Sequence, residues 1–180
     1  FKSVSFSADS LKRFGFESNE EMNAFRYTDF GFQKFMEAAK KEAYFKNTIF
    51  VFVGDHGIRY NGTLDYFPKA WTEQGLTCEH VPLLFYAPAL LKPQRIPDIC
   101  SQVDILPTIA TLAKIPYSNN SLGRNLFDTV STEVNSKEKY AFVIDHDVKT
   151  IGMVSSRYYY LKNYKTGKEE LVSMTGNEPV

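Results

Sequence analysis

The 180 residues carry 21 Lys and Arg against 21 Asp and Glu, a formal charge of zero, so no overall field draws the chain to nucleic acid or to an anionic membrane and any anion specificity must be local. With 43% hydrophobic and 15% aromatic residues, the chain has apolar material for one well-buried domain, which argues against disorder. No apolar run reaches the roughly 20 residues that span a bilayer, and an opening at Phe1 without a basic and apolar leader reads as a soluble, truncated piece.

Phe1 to Ala24 mix Ser-rich and acidic stretches without a sustained period and read as loops with at most a short helix, so residues 1–26 form an irregular lead-in. From Thr28 to Asn47 the apolar Phe32, Phe35, Met36, Ala39 and Ala43 share one helical face, and Gln33, Lys34, Glu37, Lys40 and Lys41 take the other. Asp29 opens this predicted helix, where a carboxylate suits the dipole. Thr48 to Val53 is β-branched and aromatic without alternation, as expected of a strand covered on both faces, and it ends at Gly54. Val81 to Ala87 is a second such strand, with Pro82 at its start and Pro88 closing it.

The next predicted helix runs from Asp104 to Lys114. Pro107 in a helix interior would cost about 3 kcal/mol, whereas with Asp104 as N-cap it falls in the first turn, where its N–H has no partner to lose. After the polar loop Tyr117 to Arg124 the style changes to short strands at Tyr140 to Ile144, Ile151 to Ser155, Tyr158 to Leu161 and Glu170 to Val172, the last two joined by a turn at Lys165 to Lys168. Residues 27–138 thus form the main α/β part and 139–180 an antiparallel subregion of the same domain. Cys78 and Cys100 are too few and too far apart for a disulfide framework or a thiolate zinc site and read as ordinary thiols.

Gly54-Asp55-His56-Gly57 follows the first buried strand, at the carboxyl end where open α/β sheets place ligand sites. Adjacent residues of an extended strand point apart, but the flanking glycines let the chain turn so that the Asp55 carboxylate and the His56 imidazole reach one cation. An oxygen plus a nitrogen donor suits Zn or Mn better than Ca. The plain alternative is a turn-capping Asp55 and a polar loop His56. His80, just before the second strand, adds a third residue, because two neighbouring parallel strands would deliver all three to one sheet edge. His146, in Asp145-His146-Asp147, belongs to the antiparallel tail and reads as a turn cluster. Arg59, Thr63, Lys69 and Trp71 lie on the long connection between His56 and His80. Arg59 either clamps an oxyanion or faces solvent.

Tyr27-Thr28-Asp29, Asn47 through Gly57, Glu79-His80-Val81-Pro82-Leu83-Leu84-Phe85-Tyr86-Ala87-Pro88, Gln102-Val103-Asp104-Ile105-Leu106-Pro107-Thr108 and Leu122-Gly123-Arg124-Asn125-Leu126 stand in the order found in the sulfatase domain of the alkaline phosphatase superfamily, which residues 20–165 resemble. The His before Val-Pro-Leu is most similar to the lipoteichoic acid synthase and phosphoglycerol transferase branch. That resemblance implies an alkaline-phosphatase-like α/β sandwich, a mainly parallel sheet flanked by helices, with antiparallel C-terminal strands. It implies that Asp55 and His56 bind the catalytic metal, for which their donor types favour Mn or Zn over Ca or Mg, and that His80 contacts the transferred anion or a second metal. Asp104 and Pro107 are then structural, and a Thr nucleophile and an acidic ligand come from a part outside these residues.

The expected parent is a metal-dependent hydrolase or transferase acting on phosphate esters by phosphoglycerol-type transfer, located outside the cytoplasmic membrane and often tethered to it. The fragment alone is expected to be inactive and to self-associate. A sulfate-ester hydrolase of the same fold is the first alternative, and a non-catalytic ligand- or partner-binding domain the second. A dinucleotide-binding reading lacks its G-x-G-x-x-G.

Overall fold

A computed structural model describes residues 1–57, 67–128 and 139–175. They fall into two compact units, the first made of residues 1–54 and 82–93 and the second of 55–81 and 94–180.

In the first unit, helices α1 (Ala8–Phe14) and α2 (Asn19–Ala39) precede a 3-10 turn at Ala43–Asn47 and strand β1 (Phe50–Val53). The long helix begins nine residues before Thr28, because Ser18 caps it by accepting the Glu21 N–H at 3.1 Å while the Glu21 carboxylate takes the Glu17 N–H at 2.8 Å. Asp29 therefore sits in mid-helix and not at the dipole's positive end, which corrects its expected role. The lead-in is likewise less irregular than its composition suggests. Asn19 and Asn23 project their amides from α2 and pair with both backbone groups of Phe6 and Val4, so two side chains do for this segment what a neighbouring strand would do. The apolar face of α2 lies on β1 through edge-to-face contacts, Phe32 on Phe52 at 5.3 Å and Phe35 on Phe50 at 5.9 Å.

Strand β2 (Leu83–Tyr86) pairs with β1 in the antiparallel sense, Phe50 opposite Tyr86 and Val53 opposite Leu83. The expected parallel pairing is thereby corrected. A parallel neighbour needs a connection that travels back along the whole strand. Here the chain returns to the end it left, and the Gly54 N–H closes the pair on the Pro82 carbonyl at 3.2 Å.

In the second unit the connection carries two short helices, α3 (Lys69–Glu73) and α4 (Leu76–Glu79). After a 3-10 turn at Gln102–Asp104 comes α5 (Ile105–Leu112), and strands β3 (Ala141–Asp145), β4 (Thr150–Val154), β5 (Tyr158–Asn163) and β6 (Glu169–Ser173) form an antiparallel sheet in sequential order. Its inner face supplies the core: Val143, Val154 and Tyr159 close over Leu76 of α4 and Met174, with Trp71 of α3 packed against them. The β5–β6 turn is set by Asn163, whose Oδ1 accepts the Lys165 and Thr166 N–H groups, and by Gly167 at a φ of 75°. His146 lies exposed in the β3–β4 turn, where Asp145 Oδ1 accepts the Asp147 and Val148 N–H groups, as a turn cluster should.

Asp104 precedes α5 where the proline argument put it, but its side chain does not cap that helix. At 3% exposure, one carboxylate oxygen takes the Ser101 N–H and the other the Arg124 N–H, both at 2.8 Å. Thr108, fully buried, adds its hydroxyl oxygen to the Leu126 N–H at 3.0 Å. The two side chains thus strap the Arg124–Leu126 segment to the start of α5. Among the described residues no helix is long and apolar enough to cross a membrane.

Candidate functional site

Directly after Gly54 the Asp55 carboxylate turns back on its own chain, Oδ1 accepting the His56 N–H at 2.9 Å. His56 Nδ1 lies 2.9 Å from the Gly57 carbonyl oxygen. A carbonyl can only accept, so Nδ1 carries the proton and Nε2 presents its lone pair outward. Asp55 Oδ2 stands 3.8 Å from that Nε2, and both side chains are open to solvent. Two donors at this separation, an oxygen and a nitrogen whose ring is fixed by a hydrogen bond on its far side, fit one divalent ion of the zinc or manganese kind as part of a larger ligand set. Among the described residues no third His, Cys, Asp or Glu joins them in a metal-sized cluster.

Hydrogen bonding and charge act on the pair in opposite directions. The His56 N–H holds the Asp55 carboxyl below the usual carboxylate range, with the His56 imidazole adding to the effect. The Gly57 carbonyl raises His56 above an ordinary imidazole, helped by the negative charges of Asp55 and Glu79.

Gly57 explains how a residue 23 positions further on is brought alongside His56–Gly57. The Gly57 N–H reaches the Cys78 carbonyl at 2.6 Å, and a Cβ on Gly57 would lie 2.3 Å from the Thr77 carbonyl oxygen and 3.2 Å from that of His80. Only a residue without a side chain lets the two segments run so close. His80 ends α4, its N–H bonded to the Leu76 carbonyl, and its exposed imidazole meets the Trp71 indole edge-on, centroids 5.1 Å apart at 87°. From the other side Gln102 Nε2 donates to the Asp55 carbonyl at 3.1 Å, tethering the loop that carries the pair.

Asp55 and His56 are therefore side by side, and the backbone of His80 lies against that of Gly57. Arg59 and Thr63 lie outside the described residues. Cys78 and Cys100 are both free thiols, with Cys78 Sγ 3.7 Å from the Gly57 carbonyl. Sequence reasoning missed the roles of Gly57, Trp71 and Gln102. The second glycine of Gly54-Asp55-His56-Gly57 was the signal for the first; Trp71 stood on the long His56–His80 connection and Gln102 at the head of the Gln102–Thr108 motif, but no local pattern gave either its role.

The family profile described as Sulfatase matches residues 17–115, more than half of the chain. The chain belongs to the sulfatase family. Sulfatase members are metal-dependent hydrolases and transferases built on the alkaline-phosphatase-like α/β fold, which accords with the helices and strands described above. Among curated relatives, arylsulfatase K of Gallus gallus is 29% identical over 127 residues, covering 68% of this chain and 23% of its own. A sulfatase of Formosa agariphila is 28% identical over 148 residues, covering 80% and 27%. The lipoteichoic acid synthase-like YvgJ of Bacillus subtilis (strain 168) is 25% identical over 163 residues, covering 83% and 25%. The sulfatase chain described here thus spans about a quarter of the length of these relatives.

Proposed function

We propose that the chain is the metal-holding part of an enzyme that cleaves or transfers an oxyanion ester, with Asp55 and His56 as two ligands of a divalent metal, Mn or Zn, and His80 meeting the ester's anion. The observation that carries this is the Asp55–His56 pair: Oδ2 and Nε2 share one side at 3.8 Å, and the Gly57 carbonyl fixes the tautomer that leaves Nε2 able to ligate. When bound, the ion supplies Lewis-acid neutralisation of charge on the ester and a lowered pKa for the attacking group. Asp55 brings negative charge to the ion, His56 a neutral donor, and Gly57 brings the His80 segment alongside. Arg59 is proposed as a further substrate clamp, its guanidinium matching the planar recognition of phosphate or sulfate.

Two readings of the ester have support. The His80-Val81-Pro82-Leu83 run and the similarity to a lipoteichoic acid synthase-like protein favour phosphate esters and phosphoglycerol-type transfer. Relatives named arylsulfatase K and sulfatase give sulfate esters equal support. In either case the site of action is proposed to lie outside the cytoplasmic membrane, on the resemblance alone.

The test uses the full-length protein with p-nitrophenyl phosphate, bis-p-nitrophenyl phosphate and p-nitrophenyl sulfate, and measures bound metal alongside turnover. Asp55→Ala and His56→Ala should lose metal and activity together, and the preferred ester decides between phosphorus and sulfur. Full activity in Asp55→Ala would sink the assignment.

A further inference from the structure

His80 is exposed, yet its surroundings leave it little freedom. Its backbone is fixed by the N–H bond to the Leu76 carbonyl and by φ and ψ of −85° and 108° at the end of α4. What remains is rotation of the imidazole, and there it meets Trp71. The two rings stand 5.1 Å apart with planes at 87°, the edge-to-face geometry that aromatic pairs favour. The indole is itself held, packed on the β3–β6 core beside Leu76, Val143, Val154, Tyr159 and Met174, with Phe67 stacked next to it at 6.2 Å and 13°. A rigid ring thus abuts a movable one at the edge of the site.

We propose that Trp71 is a positioning residue: it holds the His80 imidazole in one orientation, so that the packing of the four-stranded sheet sets the aim of a side chain in the ester site. The proposal rests on the reading of His80 as the residue that meets the anion. Its chemical consequence is preorganisation. An imidazole free to turn spends part of its time pointed away from the ester, and a misaimed contact costs rate even when the chemistry is unchanged. An indole that merely filled the core would affect stability and leave the aim of His80 untouched.

The test is a double-mutant cycle in the full-length protein, with kcat and KM measured on whichever p-nitrophenyl ester it turns over. Trp71→Leu should lower kcat by about tenfold or more, Trp71→Phe should restore most of it, and Trp71→Leu should cost nothing further in a His80→Ala background. An equal loss in that background overturns the proposal. Because Trp71→Leu also thins the core, the imidazole C–H signals of His80 are followed by NMR in the wild type and in Trp71→Phe and Trp71→Leu. Ring-current displacement relative to the exposed His146 should shrink in the leucine variant, and unchanged His80 signals would defeat the proposal whatever the kinetics. Undiminished turnover in His80→Ala removes the role assigned to His80, and the positioning role with it; retained turnover in Asp55→Ala is the separate failure of the metal assignment.

Discussion

Single atoms decide most at Gly57 and Tyr159. At Gly57 there is no room for a methyl group: it would sit 2.3 Å from one backbone oxygen and 3.2 Å from two others. Because those atoms are backbone, relief requires moving the whole Thr77–His80 segment. Gly57→Ala is expected to cost about 1–3 kcal/mol in chemical denaturation, as overpacking does, and to weaken metal binding, since the carbonyl that fixes His56 belongs to the same residue. Unchanged stability and affinity would show that the segments can part freely. Tyr159 gives a pH prediction. Burial, with smaller contributions from the negative charges of Glu79 and Asp145, pushes its phenol up to about 12. The unfolded chain releases that proton near pH 10 while the folded chain keeps it, so the stabilisation is complete below about 10 and is lost as pH rises towards 12, each unit being worth about 1.4 kcal/mol. Urea midpoints should fall across that interval in the wild type, and Tyr159→Phe should remove this part of the slope.

Among the elements, the strap at α5 is the joint whose loss should cost most. Asp104→Ala leaves the Ser101 and Arg124 N–H groups without their charged acceptor; at roughly 1.5–3 kcal/mol for each hydrogen bond to a charged group, a loss of about 3 kcal/mol or more is expected by denaturant titration, with Asp104→Asn losing less. A change within a few tenths of a kcal/mol would mean that the segment finds other partners. Elements marked by an apolar run or a turn residue were legible in the sequence: β1, β2, α5 and all of β3 to β6 fall within two residues of where apolar runs, Pro107 and the Gly167 turn placed them. The start of α2 was not read, although Ser18-Asn19-Glu20-Glu21 carries the capping-box spacing, because the polar residues that build such a cap look like loop by composition. Strand direction was legible for β3 to β6, where short strands joined by tight turns read as antiparallel, but not for β1 and β2, since buried runs read alike in parallel and antiparallel pairs. Asp55 and His56 could be read from adjacency after a strand. The tether from Gln102, 47 positions away, and the indole at His80 depend on tertiary approach, which no local pattern encodes.

At the scale of the molecule, the first unit is the more exposed to mispairing. Its sheet has only β1 and β2, so among the described residues neither outer edge has a strand partner, and Val53 and Leu84 are about half exposed. Two strands alone are marginal in water, and open edges recruit others. Self-association that rises with concentration is expected in sedimentation velocity, and a monodisperse monomer at high concentration would contradict it. The chain's single tryptophan lies in the second unit, half-buried against the core under β3–β6, while the first unit holds phenylalanine and tyrosine. Emission excited at long wavelength therefore follows the melting of the second unit and is blind to the first. Far-ultraviolet dichroism, dominated by the 21 residues of α2, weighs the first unit most, and two melting curves that fail to superimpose would reveal two cooperative blocks inside one small chain.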